Sequence, residues 1–291
     1  MRRETLSARP KRVWLQVFLT GFLLYFISLV VVVLTENPNL FPTLILLGNF
    51  LVPVTFVTFL YERQQFSTIT LPSLGLSFLL GGVVAVLEAG FLEQLLINGP
   101  KFNLVTALQV GLIEELAKLL AVMFVARRMR HHLELDGLLL GAAVGLGFAA
   151  LESTGYAFTV FLEAFAQGLR PHAPETFPLL AAIAVTTLRS LLTPFGHGVW
   201  TAIFAAVLFR ESSPNRFRMT RKVILTYLLV SLLHGFWDGM PISIVLNIPV
   251  INLLPIGYWI VIFIGLSILV HLWRQALRRA LKPTLESAQP Y

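Results

Sequence analysis

The sequence contains no cysteine and little charge, and each absence narrows the classes of protein that it can encode. Without cysteine there are no disulfides, no thiolate metal ligands and no cysteine nucleophile. Charged residues make up 13% of the 291 residues and hydrophobic residues 56%, whereas an ordinary soluble domain is about 25% charged. No run of Lys and Arg interleaved with aromatic residues is present, so the net charge of +7 does not indicate a nucleic-acid partner. The composition therefore predicts a protein that lies mostly in lipid.

Eight long apolar segments run through the sequence, each bounded by charges or by Pro, Asn or Gly. A membrane-spanning helix needs about 20 mostly apolar residues, and the segments lack the alternating pattern of barrel strands. We therefore predict an all-α, polytopic helical bundle that forms one integral membrane domain over residues 1–291. The eight predicted spans are Val13–Leu34, Phe41–Tyr61, Leu71–Leu96, Leu104–Val125, Gly137–Phe161, Phe177–Leu208, Val223–Val245 and Val250–Leu272.

The positive charges of the loops predict the orientation of this bundle. Of the 22 Lys and Arg residues, 18 fall before span one or after spans two, four, six and eight, which all lie on one side. Lys101 and Arg170 fall on the other side, and Lys118 and Arg189 lie within spans. Because cationic loops stay in the cytoplasm, we expect both termini to be cytoplasmic.

Ionisable side chains within the spans are the main functional signal. A charge at the bilayer centre costs about 2.5–3.5 kcal/mol on insertion scales, so such a residue is a candidate for function. We interpret Glu88 and Glu93 of span three as structural or interfacial, and Trp200 as a packing or interfacial aromatic residue. The candidates in spans four to seven are Glu114, Glu115, Lys118, Glu152, His197, His234 and Asp238.

Helix geometry predicts that these side chains meet. Glu114 pairs with Lys118 on one helix face (i,i+4), which leaves Glu115 to face a different partner, and His234 has the same spacing to Asp238. At a rise of about 1.5 Å per residue, Glu114 and His234 lie about 14–16 Å below the outer boundary, as does Glu152 on span five. Polar groups at a similar depth on three helices indicate one polar cavity within the membrane.

The residue types limit the chemistry of that cavity. The sequence lacks the Gly-x-Ser-x-Gly motif of serine hydrolases and the His-Glu-x-x-His motif of zinc proteases. Its two aspartates are Asp136, at a predicted membrane boundary, and Asp238, so a two-aspartate protease is excluded. What remains is a glutamate that deprotonates water, with His or Lys groups that stabilise an oxyanion. Hydrolysis is the reaction that these residues favour.

Four motifs, in order on spans four to seven, resemble a known family. They are Glu114-Glu115-x-x-Lys118, Phe148-x-x-x-Glu152, Pro194-Phe195-Gly196-His197 and His234-x-x-x-Asp238. Together they resemble the PrsW family, bacterial intramembrane proteases related to the CAAX-protease and bacteriocin-processing (CPBP) superfamily. The resemblance implies a multi-pass endopeptidase of the bacterial plasma membrane that performs site-1-type cleavage, with a single-span anti-sigma factor as the founding substrate. It also makes residues 104–245 the catalytic core, flanked by spans in 1–103 and 246–291.

The same resemblance implies a role for each candidate residue. Glu114 is the general base, and Glu115 assists or orients it. Lys118 holds the two carboxylates. The remaining residues form two pairs: Glu152 with His197 binds or polarises the water, and His234 with Asp238 forms the group on the oxyanion side.

The need for a metal is the question that the sequence leaves open. Two histidines and a glutamate form a known catalytic zinc site, and a zinc ion would have Glu115, Glu152, His197 and His234 as ligands. A site with so many carboxylates is atypical for zinc, and Lys118 supplies a positive charge where a metal would otherwise lie. We therefore expect that no cofactor is required, with Zn²⁺ as the alternative.

The expected partners are a single-span membrane-protein substrate and the lipid bilayer, with no nucleic acid; the sequence does not indicate an oligomeric state. An ion- or proton-coupled transporter or channel could use the same buried Glu, His and Asp residues. The inverted repeats and paired helix interruptions of many transporters are not evident. A membrane scaffold without catalysis is a third hypothesis, and it predicts that Glu114 and Glu115 are dispensable.

Overall fold

The computed structural model describes residues 12–63, 66–97, 103–129, 133–168, 177–239 and 256–286. Within these ranges the chain is almost entirely helical, and one isolated bridge joins Ser213 to Arg216. The predicted all-α fold class is confirmed. The helices are α1 (Val13–Thr35), α2 (Phe41–Arg63), α3 (Leu71–Leu76), α4 (Gly82–Leu96), α5 (Leu104–Ala126), α6 (Glu134–Gly168), α7 (Phe177–Leu192), α8 (His197–Glu211), α9 (Arg221–Gly239) and α10 (Ile256–Glu286), with 3₁₀ turns at Pro38–Leu40 and Thr193–Phe195 and a π-helical turn at Ser77–Gly81.

Six helical segments of the described chain are long and apolar enough to cross a membrane. They correspond to six of the eight predicted spans, so the chain is a multi-pass membrane protein. The other two predicted spans became α5 and α9, which carry most of the candidate charged residues. The count of eight spans and the cytoplasmic position of both termini stay predictions.

Predicted span six is interrupted in the structure. It was predicted over Phe177–Leu208, with Pro194 expected to disturb the helix, and in the structure α7 ends at Leu192 and α8 begins only at His197. A 3₁₀ turn that contains Pro194 separates the two helices. Proline lacks a backbone N–H and its ring clashes with the preceding turn, so it kinks or breaks a helix. The interruption makes His197 the first residue of α8.

Two other boundaries differ from the predicted spans. Span five was predicted at Gly137–Phe161, whereas α6 extends over Glu134–Gly168. In span seven, α9 ends at Gly239. The predicted end of that span at Val245 and the predicted start of span eight at Val250 lie outside the described residues.

The chain divides into two compact units. The first contains the described parts of Met1–Gln65 together with Ser153–Leu191, and the second those of Phe66–Glu152 and Leu192–Tyr291. In the first unit, the Ser190 hydroxyl donates a hydrogen bond of 3.0 Å to the carbonyl of Gly48, which ties α7 to α2. All seven candidate residues belong to the second unit. The predicted single domain with a 104–245 core stays a prediction.

Polar side chains determine where two helices of the second unit begin. The Asn103 side chain accepts hydrogen bonds from the N–H groups of Val105 (2.9 Å) and Thr106 (3.0 Å), and Thr106 reciprocates towards the Asn103 N–H. Thr70 caps α3 in the same manner through the N–H of Ser73. Such caps satisfy N–H groups that lack a partner within the helix. Asn103 thereby starts the helix that carries Glu114 and Glu115.

Three glycines bring α6 against α8. A Cβ at Gly137, Gly141 or Gly145 would collide with the backbone of α8, at Ala205, Thr201 and His197 respectively. As the residue numbers of α6 rise by four, those of the facing residues on α8 fall by four. The two helices are therefore antiparallel and stay in register along this contact. Small residues at this spacing let membrane helices approach closely. The contact places His197 against α6, whose Glu152 lies about two turns beyond Gly145.

A second close approach joins α5 to α9. A Cβ on Gly111 would lie 2.5 Å from the Ser231 carbonyl oxygen and 2.8 Å from the Gly235 nitrogen. Only glycine fits there, because a side chain would push the two backbones apart. Glu115 lies one turn after Gly111, and His234 is next to Gly235. The crossing point therefore determines that these two side chains meet.

Two buried carboxylates hold the start of α6. Glu134 accepts hydrogen bonds from Arg279 of α10 (2.7 Å) and Arg210 of α8 (3.3 Å). Asp136 accepts from the Thr68 N–H (2.8 Å) and from the hydroxyls of Ser67 and Thr68 (2.5 Å each). These bonds fix α6 to its neighbours in the second unit at the end remote from Glu152.

Candidate active site

The structure brings all seven candidate side chains into one cluster within the second unit. Four helices contribute: α5, α6, α8 and α9. Hydrogen bonds or ion pairs of 2.8–3.3 Å join each side chain to at least one other. The members are Glu114, Glu115 and Lys118 from α5, Glu152 from α6, His197 from α8, and His234 and Asp238 from α9.

Lys118 lies at the centre of the cluster and is completely buried. Its Nζ lies 3.0 Å from Glu114 Oε2, 2.9 Å from Glu115 Oε1 and 2.8 Å from His197 Nδ1. An ammonium group has three donors, so all three are used. The different partner that the spacing predicted for Glu115 is His234, at 3.0 Å, but Glu115 also shares Lys118 with Glu114. At i,i+3 and i,i+4, both glutamates reach the same lysine.

His197 joins the lysine to Glu152. Its Nδ1 accepts from Lys118, so a neutral ring carries its proton on Nε2. That Nε2 lies 3.3 Å from Glu152 Oε2. The ring is therefore oriented on one side by the ammonium and on the other by the carboxylate.

His234 contacts carboxylates through both ring nitrogens. Nδ1 lies 3.0 Å from Glu115 Oε1, and Nε2 lies 3.3 Å from Asp238 Oδ2 and 3.6 Å from Glu114 Oε2. An imidazolium donates from both nitrogens, so this environment suits a charged ring that donates on both sides. The predicted pairing of His234 with Asp238 is present.

The two glutamates of α5 differ in their surroundings. The Glu115 side chain is fully buried; its Oε1 binds Lys118 and His234, while its buried Oε2 has no hydrogen-bond partner among the described residues. Exposure rises across the cluster, from 6% for the Glu114 side chain to 16% for Glu152 and 29% for Asp238. Of the two α5 glutamates, Glu114 is therefore the more accessible, and the accessible side of the cluster is that of Glu152 and Asp238.

Three side chains could hold a metal ion. Ligand atoms of Glu114, His197 and His234 lie within 4.8 Å of one another. The ligands predicted for a zinc ion, if one is present, were Glu115 and Glu152 in addition to the two histidines. In the structure, those two carboxylates lie at the other nitrogen of each imidazole ring: Glu115 at Nδ1 of His234 and Glu152 at Nε2 of His197. Carboxylates in that position orient metal-binding histidines in many proteins.

Aromatic residues enclose the charged groups. The Lys118 Nζ lies 4.0 Å from the ring centroid of Phe148, a cation–π contact. The indole of Trp200, interpreted from the sequence as a packing or interfacial residue, contacts both imidazoles of the cluster. The spacing could have revealed the contact with His197, because Trp200 follows it by three residues and the two therefore lie on one face of α8.

Comparison with known proteins gives one match. A family model described as PrsW family intramembrane metalloprotease matches residues 70–269, which is more than half of the chain and includes all seven candidate residues. A search of curated proteins and a search of solved structures found no match.

Proposed function

The chain belongs to the PrsW family of intramembrane metalloproteases, and we propose that it cleaves a single-span membrane protein by means of a water molecule that Glu114 activates. One observation carries the proposal. The Glu114 carboxylate lies 3.0 Å from the Lys118 ammonium, 3.6 Å from His234 Nε2 and 3.9 Å from His197 Nδ1. A carboxylate that can act as a base thus lies beside a fixed cation and two imidazoles.

In the proposed reaction, Glu114 takes a proton from water while the water oxygen attacks the scissile carbonyl carbon. The carbonyl oxygen then carries the negative charge. When the C–N bond breaks, Glu114 returns the proton to the departing nitrogen, which leaves as an amine. The carbon that received the water oxygen becomes the new carboxyl terminus, so atoms and charge balance.

His234 is the group that we assign to the developing oxyanion, through Nε2–H, whose contacts to Asp238 and Glu114 are longer than the contact of Nδ1 to Glu115. Asp238 lies 3.3 Å from its Nε2 and Glu115 lies 3.0 Å from its Nδ1, so carboxylates on two sides restrict the ring. Donors fixed before the reaction stabilise transition-state charge without reorganisation, which is the largest contribution in many hydrolases. His197 and Glu152 hold the attacking water in the same scheme.

Glu115 and Lys118 position the other groups. Glu115 is buried and joins Lys118 to His234, which suits an orienting carboxylate better than a base that must reach water. Lys118 balances the charge of the two adjacent carboxylates and holds His197 Nδ1. The substrate that we infer from the family resemblance is a single-span anti-sigma factor of a bacterial plasma membrane. The relation to the CPBP superfamily, which the sequence motifs imply, is part of the same proposal.

The donor set also fits a zinc ion in kind and spacing. Glu114, His197 and His234 would hold it, and it would supply Lewis-acid polarisation of the carbonyl and of water. However, the Lys118 ammonium already binds Glu114 and His197, two of the three residues that would hold such an ion. We therefore propose that the reaction does not require a metal.

Cleavage of a panel of single-span membrane proteins by the purified protein in liposomes tests this function. The variants are Glu114→Gln and Glu115→Gln, which keep shape and lose charge, and Glu163→Gln on an exposed position of α6 serves as the matched control. We expect Glu114→Gln to lose at least about 100-fold in rate, the lower range for a removed general base, and Glu163→Gln to equal the wild type. Activity that survives a chelator supports the metal-free reaction, whereas activity that a chelator removes and Zn²⁺ restores contradicts it.

The same liposomes distinguish the alternative functions. Ion or proton flux is measured beside cleavage in each preparation. Flux that depends on Glu114, without cleavage of the panel, would favour a transporter or channel. Equal cleavage by the wild type and Glu114→Gln would remove Glu114 from the role of base.

A further inference from the structure

Trp200 occupies a position at the candidate active site to which no role has been assigned. Its side chain is completely buried, although tryptophan in a membrane protein commonly lies at the interface. The indole stacks on the His234 imidazole, with ring centroids 4.9 Å apart and planes inclined by 28°. It also meets the His197 imidazole edge-on, at 5.5 Å and 71°. One side chain thus contacts both imidazoles of the cluster.

Neighbouring residues hold the indole in this position. Trp237 packs edge-on against it at 5.7 Å, and Tyr258 packs against Trp237 at 4.5 Å. On α10, a Cβ added at Gly265 would lie 3.6 Å from Trp200 Nε1 and 3.2 Å from a methyl group of Val199, so α10 closely approaches this part of α8. Packing on several sides therefore holds the indole in a fixed orientation.

A fixed indole can restrict the orientation of the His234 ring in a way that the other contacts of this ring do not. The hydrogen bonds of the ring to Glu115 and Asp238 lie at the ring edge, and they limit rotation only as far as the flexible carboxylates do. A surface stacked on the ring face fixes the plane itself. The imidazoles of His197 and His234 meet nearly perpendicularly, at 4.9 Å and 86°, so a rotation of one ring would disturb the other.

We propose that Trp200 is a positioning residue of the active site, whose indole fixes the plane of the His234 ring so that Nε2 stays beside Glu114 and Asp238. The proposal rests on the proposed function, because its consequence for rate depends on His234 stabilising the oxyanion. The orientation of the ring is a property of the folded protein that can be measured without any substrate.

The test uses the full-length protein in lipid nanodiscs. Trp200→Leu removes the aromatic ring that stacks on His234, and Trp200→Phe keeps a smaller aromatic ring. Trp14→Leu is the matched control, because Trp14 of α1 packs edge-on against Phe59 in the first unit. Histidine-selective labelling gives the ring ¹H and ¹⁵N resonances, and the signals of His234 are those absent from His234→Gln. The protein has six histidines, so the spectrum is sparse enough to assign.

We expect the His234 ring protons to carry the upfield shift of a stacked indole in the wild type and to lose it in Trp200→Leu. In the liposome assay, kcat of Trp200→Leu should fall about 10- to 100-fold, as for other residues that orient a reacting group, with KM changed by less than about twofold. Trp200→Phe should recover most of this loss, and Trp14→Leu should match the wild type in both measurements.

Two results would overturn the proposal: His234 resonances that are the same in wild type and Trp200→Leu, or equal losses of kcat and of thermal stability in the Leu and Phe variants. If the wild type cleaves nothing, the proposed function fails. The resonances then still decide whether Trp200 fixes the ring.

Discussion

The contact between Gly145 of α6 and the His197 carbonyl makes a single methyl group a strong perturbation. In Gly145→Ala the new Cβ would overlap the His197 carbonyl oxygen and lie 2.6 Å from Thr201 Oγ1 and 2.8 Å from Thr201 Cβ. Carbon atoms prefer separations of about 3.5–4.0 Å, so α6 and α8 must move apart by about 1 Å at this level. The carbonyl is backbone, and no side-chain rotation can relieve the overlap.

Two magnitudes follow from this displacement. Forcing one extra carbon into a close-packed contact costs about 1–3 kcal/mol of stability. A displacement of about 1 Å at a catalytic group lowers the rate by about 100-fold. Because His197 begins α8 at the collision, we expect Gly145→Ala to lose about 100-fold in cleavage rate while the protein still folds.

Gly155→Ala is the matched control, since a Cβ at Gly155 on the same helix meets nothing within 4 Å. Exchanging glycine for alanine in an open helical position stabilises the helix by up to about 1 kcal/mol. The assay compares initial rates of cleavage in liposomes with the midpoint of thermal unfolding for each variant. A Gly145→Ala protein that cleaves within twofold of Gly155→Ala would refute the idea that this contact positions His197.

Three further variants test the cluster and the supports of α6. Asp238→Asn should lower the cleavage rate about 10- to 100-fold with little effect on thermal unfolding, because a neutral amide orients the imidazolium less firmly; an unchanged rate would remove Asp238 from the mechanism. Glu134→Ala should destabilise the protein by about 1–2 kcal/mol in denaturant titrations, since two partly exposed arginines lose their shared carboxylate, and a similar loss in the exposed Glu163→Ala would contradict this. Asp136→Ala should cost about 1–3 kcal/mol in the same titration, because it leaves the Thr68 N–H and two hydroxyls without their acceptor; full stability would show that water replaces the carboxylate.

The features that depend on helix periodicity could be predicted from the sequence. Long apolar runs predicted the helices, and the cost of charge in lipid singled out side chains that the structure brings together. Glycines at four-residue spacing, as on α6, are typical of a close helix contact, but only the structure identifies α8 as the partner. Helix pairing depends on contacts distant in sequence, and no local pattern encodes it. The sequence indicated that Pro194 would disturb the helix. It did not indicate that a new helix would start at His197.

The different contacts of Glu114 and Glu115 could not be predicted from their spacing within α5. Both lie within reach of Lys118, at i,i+4 and i,i+3, so the α5 sequence alone treats them almost alike. The α5–α9 crossing at Gly111 and Gly235 separates them, because it brings His234 Nδ1 to Glu115 and buries that carboxylate completely. Glu114 is left facing the two imidazoles and is the more accessible of the two carboxylates. A methyl group at either glycine would therefore push α5 and α9 apart and weaken the contact with His234 that distinguishes Glu115 from Glu114.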